Sequence, residues 1–245
     1  MTKYTLFVSD VHLKQTDPGR NKLFFRFLEN VAPHAQALYI LGDLFDAWLG
    51  DDDSDPLNQE AIAVLKCCAS QISVYYLHGN HDFLLSEKFF SETNIIPLPN
   101  FFVLTLYGKK ILLTHGDAFC THAHLFQLAR KFYYNRACQK FFLLLPLFIR
   151  RSIAEFLANQ DAHRPRPLPK KLNVDVNVIL NTMKRTHTPQ VIHGHLHVPA
   201  ITNLNTPIDH QDAFEIILPT WSAQKGGYLK YFENGEFLLE KFEFE

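Results

Sequence analysis

The sequence predicts an α/β fold organised as one domain over residues 1–245. Short apolar runs alternate with helix-like stretches through the first half of the chain, which is the pattern of layered α/β proteins. The 245 residues are 47% hydrophobic and 20% charged, enough for one large domain or one domain with a sizeable insertion. A helical segment interrupts the alternation at residues 120–171, and the α/β pattern then resumes.

The first half contains three strand–helix pairs followed by a hairpin. Strands are predicted at Tyr4–Ser9, Ala37–Leu41 and Ile72–Leu77, and helices at Lys22–Val31, Pro56–Ala69 and Phe83–Ser91. Gly108-Lys109 is a turn sequence between the apolar segments Phe101–Tyr107 and Lys110–Thr114, and it predicts a β-hairpin.

The last third of the chain returns to the same pattern. A helix is predicted near Val174–Arg185 and a strand at Gln190–Ile192. Three strands close the chain, and Asn234-Gly235 predicts a tight turn between the last two. These strands are Phe214–Leu218, Gly227–Phe232 and Glu236–Phe244.

Residues 120–171 predict a helical insertion with its own charge. Helices at His122–Arg136 and Arg150–Ala158 enclose the apolar run Phe141–Ile149, and Arg164–Pro169 predicts a stiff extended linker. Residues 121–171 carry ten Lys or Arg and two acids, a net charge of +8, whereas the rest of the chain carries −9. The near-neutral total conceals a basic cap on an acidic body.

Composition also limits the function classes. A net charge of −1 gives no global electrostatic case for nucleic-acid binding. Four Cys without a C-x-x-C pair argue against a thiolate zinc site and a disulfide framework, and favour buried thiols in a reducing compartment. The first residues do not form a secretory signal, and no apolar run reaches the roughly 18 residues of a membrane span.

Five short motifs follow predicted strands, and their side chains are metal ligands. In open α/β folds, ligands bind beyond the carboxyl ends of the strands, so we expect the five motifs to meet in one crevice. The motifs are Asp10-Val11-His12, Gly42-Asp43-Leu44-Phe45-Asp46, Gly79-Asn80-His81-Asp82, His115-Gly116-Asp117 and Gly194-His195-Leu196-His197.

The ligand chemistry indicates two metal ions. Carboxylate, imidazole and amide oxygen without thiolate suit Mn²⁺, Fe²⁺ or Zn²⁺. Seven ligands are too many for one ion, and Asp43 is the natural bridging carboxylate. Two ions about 3.5–4 Å apart can clamp the attacking and leaving oxygens of a phosphoryl displacement and lower the pKa of a bound water.

The five motifs resemble the signature of the calcineurin-like metallophosphoesterases. The resemblance implies a pair of β-sheets flanked by helices and two metal sites that share Asp43. It assigns Asp10, His12, Asp43 and His197 to one metal, and Asp43, Asn80, His115 and His195 to the other. His81 matches the acid near the leaving group, and Asp82 is expected to hold its tautomer.

Longer segments, such as residues 39–53 and 192–200, resemble the UDP-2,3-diacylglucosamine diphosphatase family of lipid A synthesis. This resemblance implies that a water activated by two Mn²⁺ ions attacks the α-phosphate of UDP-2,3-diacylglucosamine. The products would be UMP and 2,3-diacylglucosamine 1-phosphate. We expect Asp43, Asn80 and His81 to be catalytic, and Asn80, His81, His195, Lys170 and Lys171 to contact substrate.

The chain departs from that family where it has His81 in place of an Arg, and at Ala123 and Phe126, which fall on polar substrate contacts. Phe141–Ile149, flanked by arginines, is expected to receive acyl chains and to lie on an anionic membrane at the cytoplasmic face of the inner membrane.

No protein partner is expected. The alternatives are a phosphoesterase for nucleotides or other water-soluble phosphates, and a non-catalytic scaffold that binds partners through the insertion.

Overall fold

Two β-sheets pack face to face in a computed structural model of the chain, and helices cover their outer surfaces. The structure describes the backbone at residues 2–121, 124–163 and 174–244, and side chains at 2–121, 126–157 and 174–244. The first sheet has the strand order β11-β10-β1-β2-β3-β4 and the second β5-β6-β7-β9-β8. The strands are β1 (Tyr4–Val8), β2 (Ala37–Leu41), β3 (Ser73–Leu77), β4 (Ile96–Pro97), β5 (Phe101–Leu106), β6 (Lys109–Thr114), β7 (Gln190–His193), β8 (Ala200–Asn203), β9 (Phe214–Ile217), β10 (Lys225–Phe232) and β11 (Phe237–Glu243).

Seven α-helices are described, and four of them belong to the α/β body. Asp17, Asp55 and Asp175 each accept a backbone N–H at the start of a body helix, which satisfies a donor that the helix itself leaves free. The body helices are α1 (Pro18–Asn30), α2 (Pro56–Ala69), α3 (Glu87–Thr93) and α7 (Val176–Thr186). The insertion contains α4 (His124–Tyr133), α5 (Arg136–Leu143) and α6 (Leu147–His163).

The predicted α/β class is confirmed, and β2 and α2 have the predicted bounds. Helix α3 begins at Glu87, four residues later than predicted, because the carboxylate of Asp51 accepts bonds from Ser86 Oγ at 2.6 Å and Phe89 N at 2.9 Å. The first hairpin turns at Tyr107-Gly108, one residue earlier than predicted, and both residues have positive φ. Strands β4 and β8 lack a sequence signal because they are short edge strands.

The core lies in three layers that fix the two sheets and their helices. Side chains such as Phe7 from β1, Leu113 from β6 and Ile192 from β7 fill the space between the sheets. The first sheet packs outward on α1 and α2, and the second sheet packs on α7. Strands β1, β2 and β3 are parallel, as are β6, β7 and β9, so their carboxyl ends define one edge of each sheet.

The insertion differs from its predicted layout. The predicted helix His122–Arg136 ends at Tyr133 in the structure, because Asn135 starts a new helix by accepting from Ala137 N at 2.9 Å. The apolar run Phe141–Ile149 is divided between α5 and α6. The linker Arg164–Pro169 and the residues Lys170 and Lys171 lie outside the described residues. Within the described parts of the chain, no helix is long and apolar enough to span a bilayer.

Candidate metal centre

The predicted ligands lie where the carboxyl ends of the two sheets meet. Hydrogen bonds between the two sheets position predicted ligands at this edge. His115 Nδ1 after β6 donates to Leu41 O of β2 at 2.8 Å, and His195 N after β7 donates to the carboxylate of Asp10 at 2.9 Å. Because Leu41 O can only accept, the proton of His115 resides on Nδ1 and its Nε2 faces the site.

Left-handed backbone recurs among the predicted ligands. A positive φ costs energy in any residue with a Cβ, and such strain persists where surrounding structure enforces it, often at functional sites. Here the chain leaves a strand and turns at once, so that side chains project beyond the sheet edge. The residues are Asp10 (53°), His12 (52°), Asp43 (54°), His195 (67°) and His197 (58°).

The first cluster of donor atoms contains Asp10, His12 and His197. His197 Nε2 lies 3.1 Å from Asp10 Oδ1 and 3.2 Å from His12 Nε2. Ring nitrogens and carboxylate oxygens thus converge within 4.8 Å of one another, which is the donor set of a Mn²⁺, Fe²⁺ or Zn²⁺ site.

The second cluster contains Asp43, His115 and His195. His115 Nε2 lies 3.3 Å from Asp43 Oδ2 and 3.2 Å from Asn80 Oδ1. Asp43 Oδ2 also lies 3.8 Å from His12 Nε2 of the first cluster. The structure therefore brings all seven predicted ligands together, with Asp43 between the two groups.

Asp43 and Asp10 are buried, and their charge is compensated locally. Burial raises the pKa of Asp43, but the imidazoles of His115 and His81 outweigh this effect and hold the pKa well below its usual value. Burial lowers the pKa of His115, and the Asp43 carboxylate reverses this and raises it to about 10. Burial lowers the pKa of His12 to about 4. The donor set therefore fits divalent cations, which would supply the positive charge that protons on imidazole otherwise provide.

Glycines of the motifs give the ligands room. A Cβ at Gly79 would overlap the carboxylate of Asp43, and a Cβ at Gly194 would overlap Ser9 Oγ and the carboxylate of Asp10. The motif glycines are therefore required for close approach of one ligand loop to another.

His81 borders both the ligands and solvent. Its Nδ1 donates to Asp46 O at 2.7 Å, and its ring meets that of His12 edge-on with centroids 4.9 Å apart. A ring atom of His81 also groups with donor atoms of His12 and Asp43. Since Asp46 O fixes the proton on Nδ1, the Nε2 of His81 is available for a ligand.

The expectation that Asp82 holds the tautomer of His81 is wrong, because Asp46 O does so. Asp82 is fully buried, and its carboxylate accepts from Leu44 N at 2.6 Å, from Gly79 N at 2.9 Å and from the Tyr76 hydroxyl. It therefore binds the loop that carries Asp43 to the loop that carries Asn80.

Several contacts that fix the insertion to the body lie on motif loops or just beyond them. Arg130 Nε of α4 donates to the buried carboxylate of Asp117 at 2.6 Å, and Phe126 stacks on His195 with centroids 5.5 Å apart. Tyr133 stacks on Phe83 at 4.9 Å. The motifs contain no signal for these partners, although the opposite charges of insertion and body indicate that the two attract.

The acidic run after the second motif is part of this junction. Asp52 pairs with Arg150 of α6, and Asp53 accepts from Arg151 at 2.7 Å. The expectation that the arginines beside Phe141–Ile149 are free for phosphate or lipid is therefore wrong for Arg150, which is buried. Arg151 is not free either, because it is paired with Asp53.

Residues 4–199 match the family model described as calcineurin-like phosphoesterase, and the chain belongs to that family of metal-dependent hydrolases. It is 40% identical over 222 residues to a UDP-2,3-diacylglucosamine hydrolase of Photorhabdus laumondii, covering 90% of this chain and 92% of that one. It is 39% identical over 223 residues to the enzyme of the same name from Shigella dysenteriae, with coverage of 90% and 92%. A hypothetical protein, PH1004 of Pyrococcus horikoshii, shares the fold with a TM-score of 0.51 at 10% identity, over 99% of this chain and 88% of that one.

Replacing Asp82 by Asn tests its role in joining the two loops. The amide group would bring N–H donors against the N–H groups of Leu44 or Gly79, so we expect the free energy of unfolding to fall by about 1–3 kcal/mol. Urea unfolding of the EDTA-treated protein measures this change. Asp209→Asn, at an exposed carboxylate, is the control, and equal stability of the two variants would contradict the role given to Asp82.

Replacing Asp43 by Asn tests whether this carboxylate joins the two clusters. We expect wild type to retain two Mn²⁺ per chain after equilibrium dialysis, and the variant to bind metal at least ~100-fold more weakly because both groups lose a negative ligand. Elemental analysis gives the stoichiometry. Undiminished binding by Asp43→Asn, with Asp209→Asn again as control, would remove Asp43 from the metal centre.

Proposed function

We propose that the protein hydrolyses the pyrophosphate bond of UDP-2,3-diacylglucosamine to UMP and 2,3-diacylglucosamine 1-phosphate. The observation that carries the proposal is the convergence of seven motif side chains at one sheet edge, in a chain 40% identical to a hydrolase of that substrate. The same proposal places the reaction in lipid A biosynthesis, at the cytoplasmic face of the inner membrane.

The seven side chains are proposed to hold two divalent ions, with Mn²⁺ as the expected metal. Asp10, His12, Asp43 and His197 form one ligand set, and Asp43, Asn80, His115 and His195 form the other. When bound, such ions polarise phosphoryl oxygens and lower the pKa of a water that attacks the α-phosphate.

The protein's own residues orient the reacting groups. The bond from His115 to Leu41 O aims the Nε2 of His115 at Asn80 and Asp43. His81, held through Nδ1 by Asp46 O, presents Nε2 to the phosphates or delivers a proton to the leaving group. Asn80 and His195 are proposed to contact the same phosphates. Lys170 and Lys171, outside the described residues, remain proposed phosphate contacts.

The insertion offers an apolar surface suited to acyl chains. Phe141, Leu144 and Phe148 are 71%, 82% and 70% exposed, which is unusual for large apolar side chains so close together in a chain. One face of α6 forms an open and largely apolar surface. This surface is formed by Phe148, Ile149, Ser152, Ile153, Phe156 and Leu157. A water-soluble substrate without acyl chains would not require this surface.

The same insertion is proposed to contact the anionic membrane surface. Lys131, Arg136 and Lys140 are exposed and belong to α4 and α5. Cations beside exposed aromatic and aliphatic side chains are typical of segments that lie at a lipid interface. These three residues take the place of Arg150 and Arg151 in the electrostatic part of the proposal.

Purified protein with Mn²⁺ and UDP-2,3-diacylglucosamine in detergent tests the reaction, with release of UMP as the readout. We expect UMP from wild type and a rate lower by about 100-fold or more from Asp43→Asn, because the shared ligand is weakened. Cleavage of bis-p-nitrophenyl phosphate without any UMP would reject the lipid substrate and favour a phosphoesterase for small phosphates. Failure on both substrates would favour a binding scaffold.

Vesicle flotation tests the membrane surface. We expect the triple replacement of Phe141, Leu144 and Phe148 by Ser to abolish flotation with phosphatidylglycerol vesicles and to preserve bis-p-nitrophenyl phosphate cleavage, because the apolar contact lies on the insertion. Leu238→Ser is a matched control, since Leu238 is 51% exposed but lies on β11 of the body. Equal flotation of the triple variant and wild type would reject this surface.

A further inference from the structure

Arg150 is the only buried residue among the described side chains at 126–157. Its side chain is 2% exposed, whereas the apolar side chains of this segment are half-buried or exposed. Phe142 and Leu143 contact the core of the body only as partly buried residues, and α5 has no buried residue. Over the described side chains of α5 and α6, burial of apolar surface therefore contributes little to the attachment to the body, and polar contacts add to it.

The guanidinium of Arg150 makes hydrogen bonds through four of its five N–H groups. Nε donates to Leu145 O at 2.9 Å, inside the insertion. The two terminal nitrogens reach the body, where they donate to Leu49 O and to both carboxylate oxygens of Asp52. This two-pronged contact fixes direction as well as distance, as paired N–H groups on a carboxylate do. It also leaves the guanidinium no freedom to reach a substrate.

The loop that receives Arg150 is continuous with the metal centre. Trp48 N donates to His81 O at 3.1 Å, and His81 in turn bonds to Asp46 O. Trp48 Nε1 donates to Asp51 at 2.9 Å, and Asp51 holds the start of α3. The loop is thereby fixed to the body on one side and to Arg150 on the other.

Gly50 leaves the space that the guanidinium of Arg150 occupies. Its φ is 130°, a conformation that favours glycine, and a Cβ there would lie 2.5 Å from an Arg150 nitrogen and 2.7 Å from Asp52 Oδ1. Two independent features, a buried arginine paired with a carboxylate and a glycine that leaves space for it, therefore meet at one point.

We propose that Arg150 is a positioning residue that fixes α5 and α6 relative to the metal-site loops. It holds the apolar surface of the insertion in a constant place beside the metal centre, so that the acyl part and the diphosphate of one substrate are bound together. The consequence for the lipid substrate rests on the proposed function, but the attachment itself does not.

Hydrogen–deuterium exchange and kinetics of Arg150→Met test the proposal. Met keeps much of the volume of the side chain and removes the charge and all donors. We expect faster exchange at residues 136–157 and a fall of roughly 100-fold in kcat/KM for UDP-2,3-diacylglucosamine, mainly through KM, as misplacement of a binding element causes. The cleavage of bis-p-nitrophenyl phosphate, a substrate without acyl chains to bind on α5 and α6, is expected to be unchanged.

Two pairs of variants distinguish loss of positioning from general destabilisation of the protein. Arg150→Met is compared with Arg151→Met, and Gly50→Ala with Gly108→Ala. Arg151→Met removes the neighbouring arginine, which is 48% exposed and donates to Asp53. Because Arg150 is buried and holds both Leu49 O and Asp52, we expect exchange and kcat/KM to change much less in Arg151→Met than in Arg150→Met. Gly50→Ala crowds the guanidinium of Arg150, whereas Gly108→Ala places an alanine at another positive φ, 78°, where no atom lies within 4 Å. Only Gly50→Ala is expected to reproduce the effects of Arg150→Met.

The proposal is overturned if exchange at 136–157 is the same in Arg150→Met and Arg151→Met, or if lipid and small-substrate activities fall in parallel in both Arg150→Met and Gly50→Ala. If wild type releases no UMP, the proposed function fails, while the exchange comparison still decides whether Arg150 holds the insertion. If Arg150→Met does not fold, the comparison of Gly50→Ala with Gly108→Ala decides.

Discussion

The burial of two carboxylates, Asp10 and Asp43, where two sheet edges meet is the constraint on which the rest of this structure depends. Buried negative charge is costly unless positive groups or donors surround it. Imidazoles from several loops approach these carboxylates, and backbone N–H groups of His81 and His195 donate to them. The two sheets can pack in this arrangement only because these loops neutralise the buried negative charge of Asp10 and Asp43. The fold and the metal site therefore depend on the same requirement, which is positive charge and N–H donors around two buried carboxylates.

That condition also explains the unusual backbone. Residues with side chains adopt positive φ soon after β1, β2 and β7, and glycines occupy the points where a Cβ would strike a ligand. Each such turn is unfavourable by itself. The turns are enforced by bonds from one loop to the next, among which are those of the fully buried Asp82. The unfavourable backbone conformations are thus maintained by hydrogen bonds that link several motif loops, and not by any one motif alone.

Sequence reasoning could predict the α/β class and the ligand cluster because both depend on local signals. Strands such as Ala37–Leu41 are short apolar runs, and residues after them fall at one edge by topology alone. The role of Asp82 could not be predicted, because its partners Leu44 and Tyr76 use backbone or phenol groups that no motif marks. The expectation that the arginines beside Phe141–Ile149 face lipid is wrong for Arg150, because composition does not distinguish a lipid-facing arginine from one that is paired. Only the tertiary structure shows its carboxylate partner, Asp52.

The exposed apolar face of α5 and α6 has a practical consequence for the protein in lipid-free buffer. Phe141, Leu144 and Phe148 then have no hydrocarbon to contact, and the other apolar surfaces available in a pure sample are those of further copies of the chain. Hydrophobic attraction between these faces brings more chains together as concentration rises. Concentrated samples will therefore self-associate through the insertion and disperse when detergent is added, so the apparent size of the particle will depend on how it is handled.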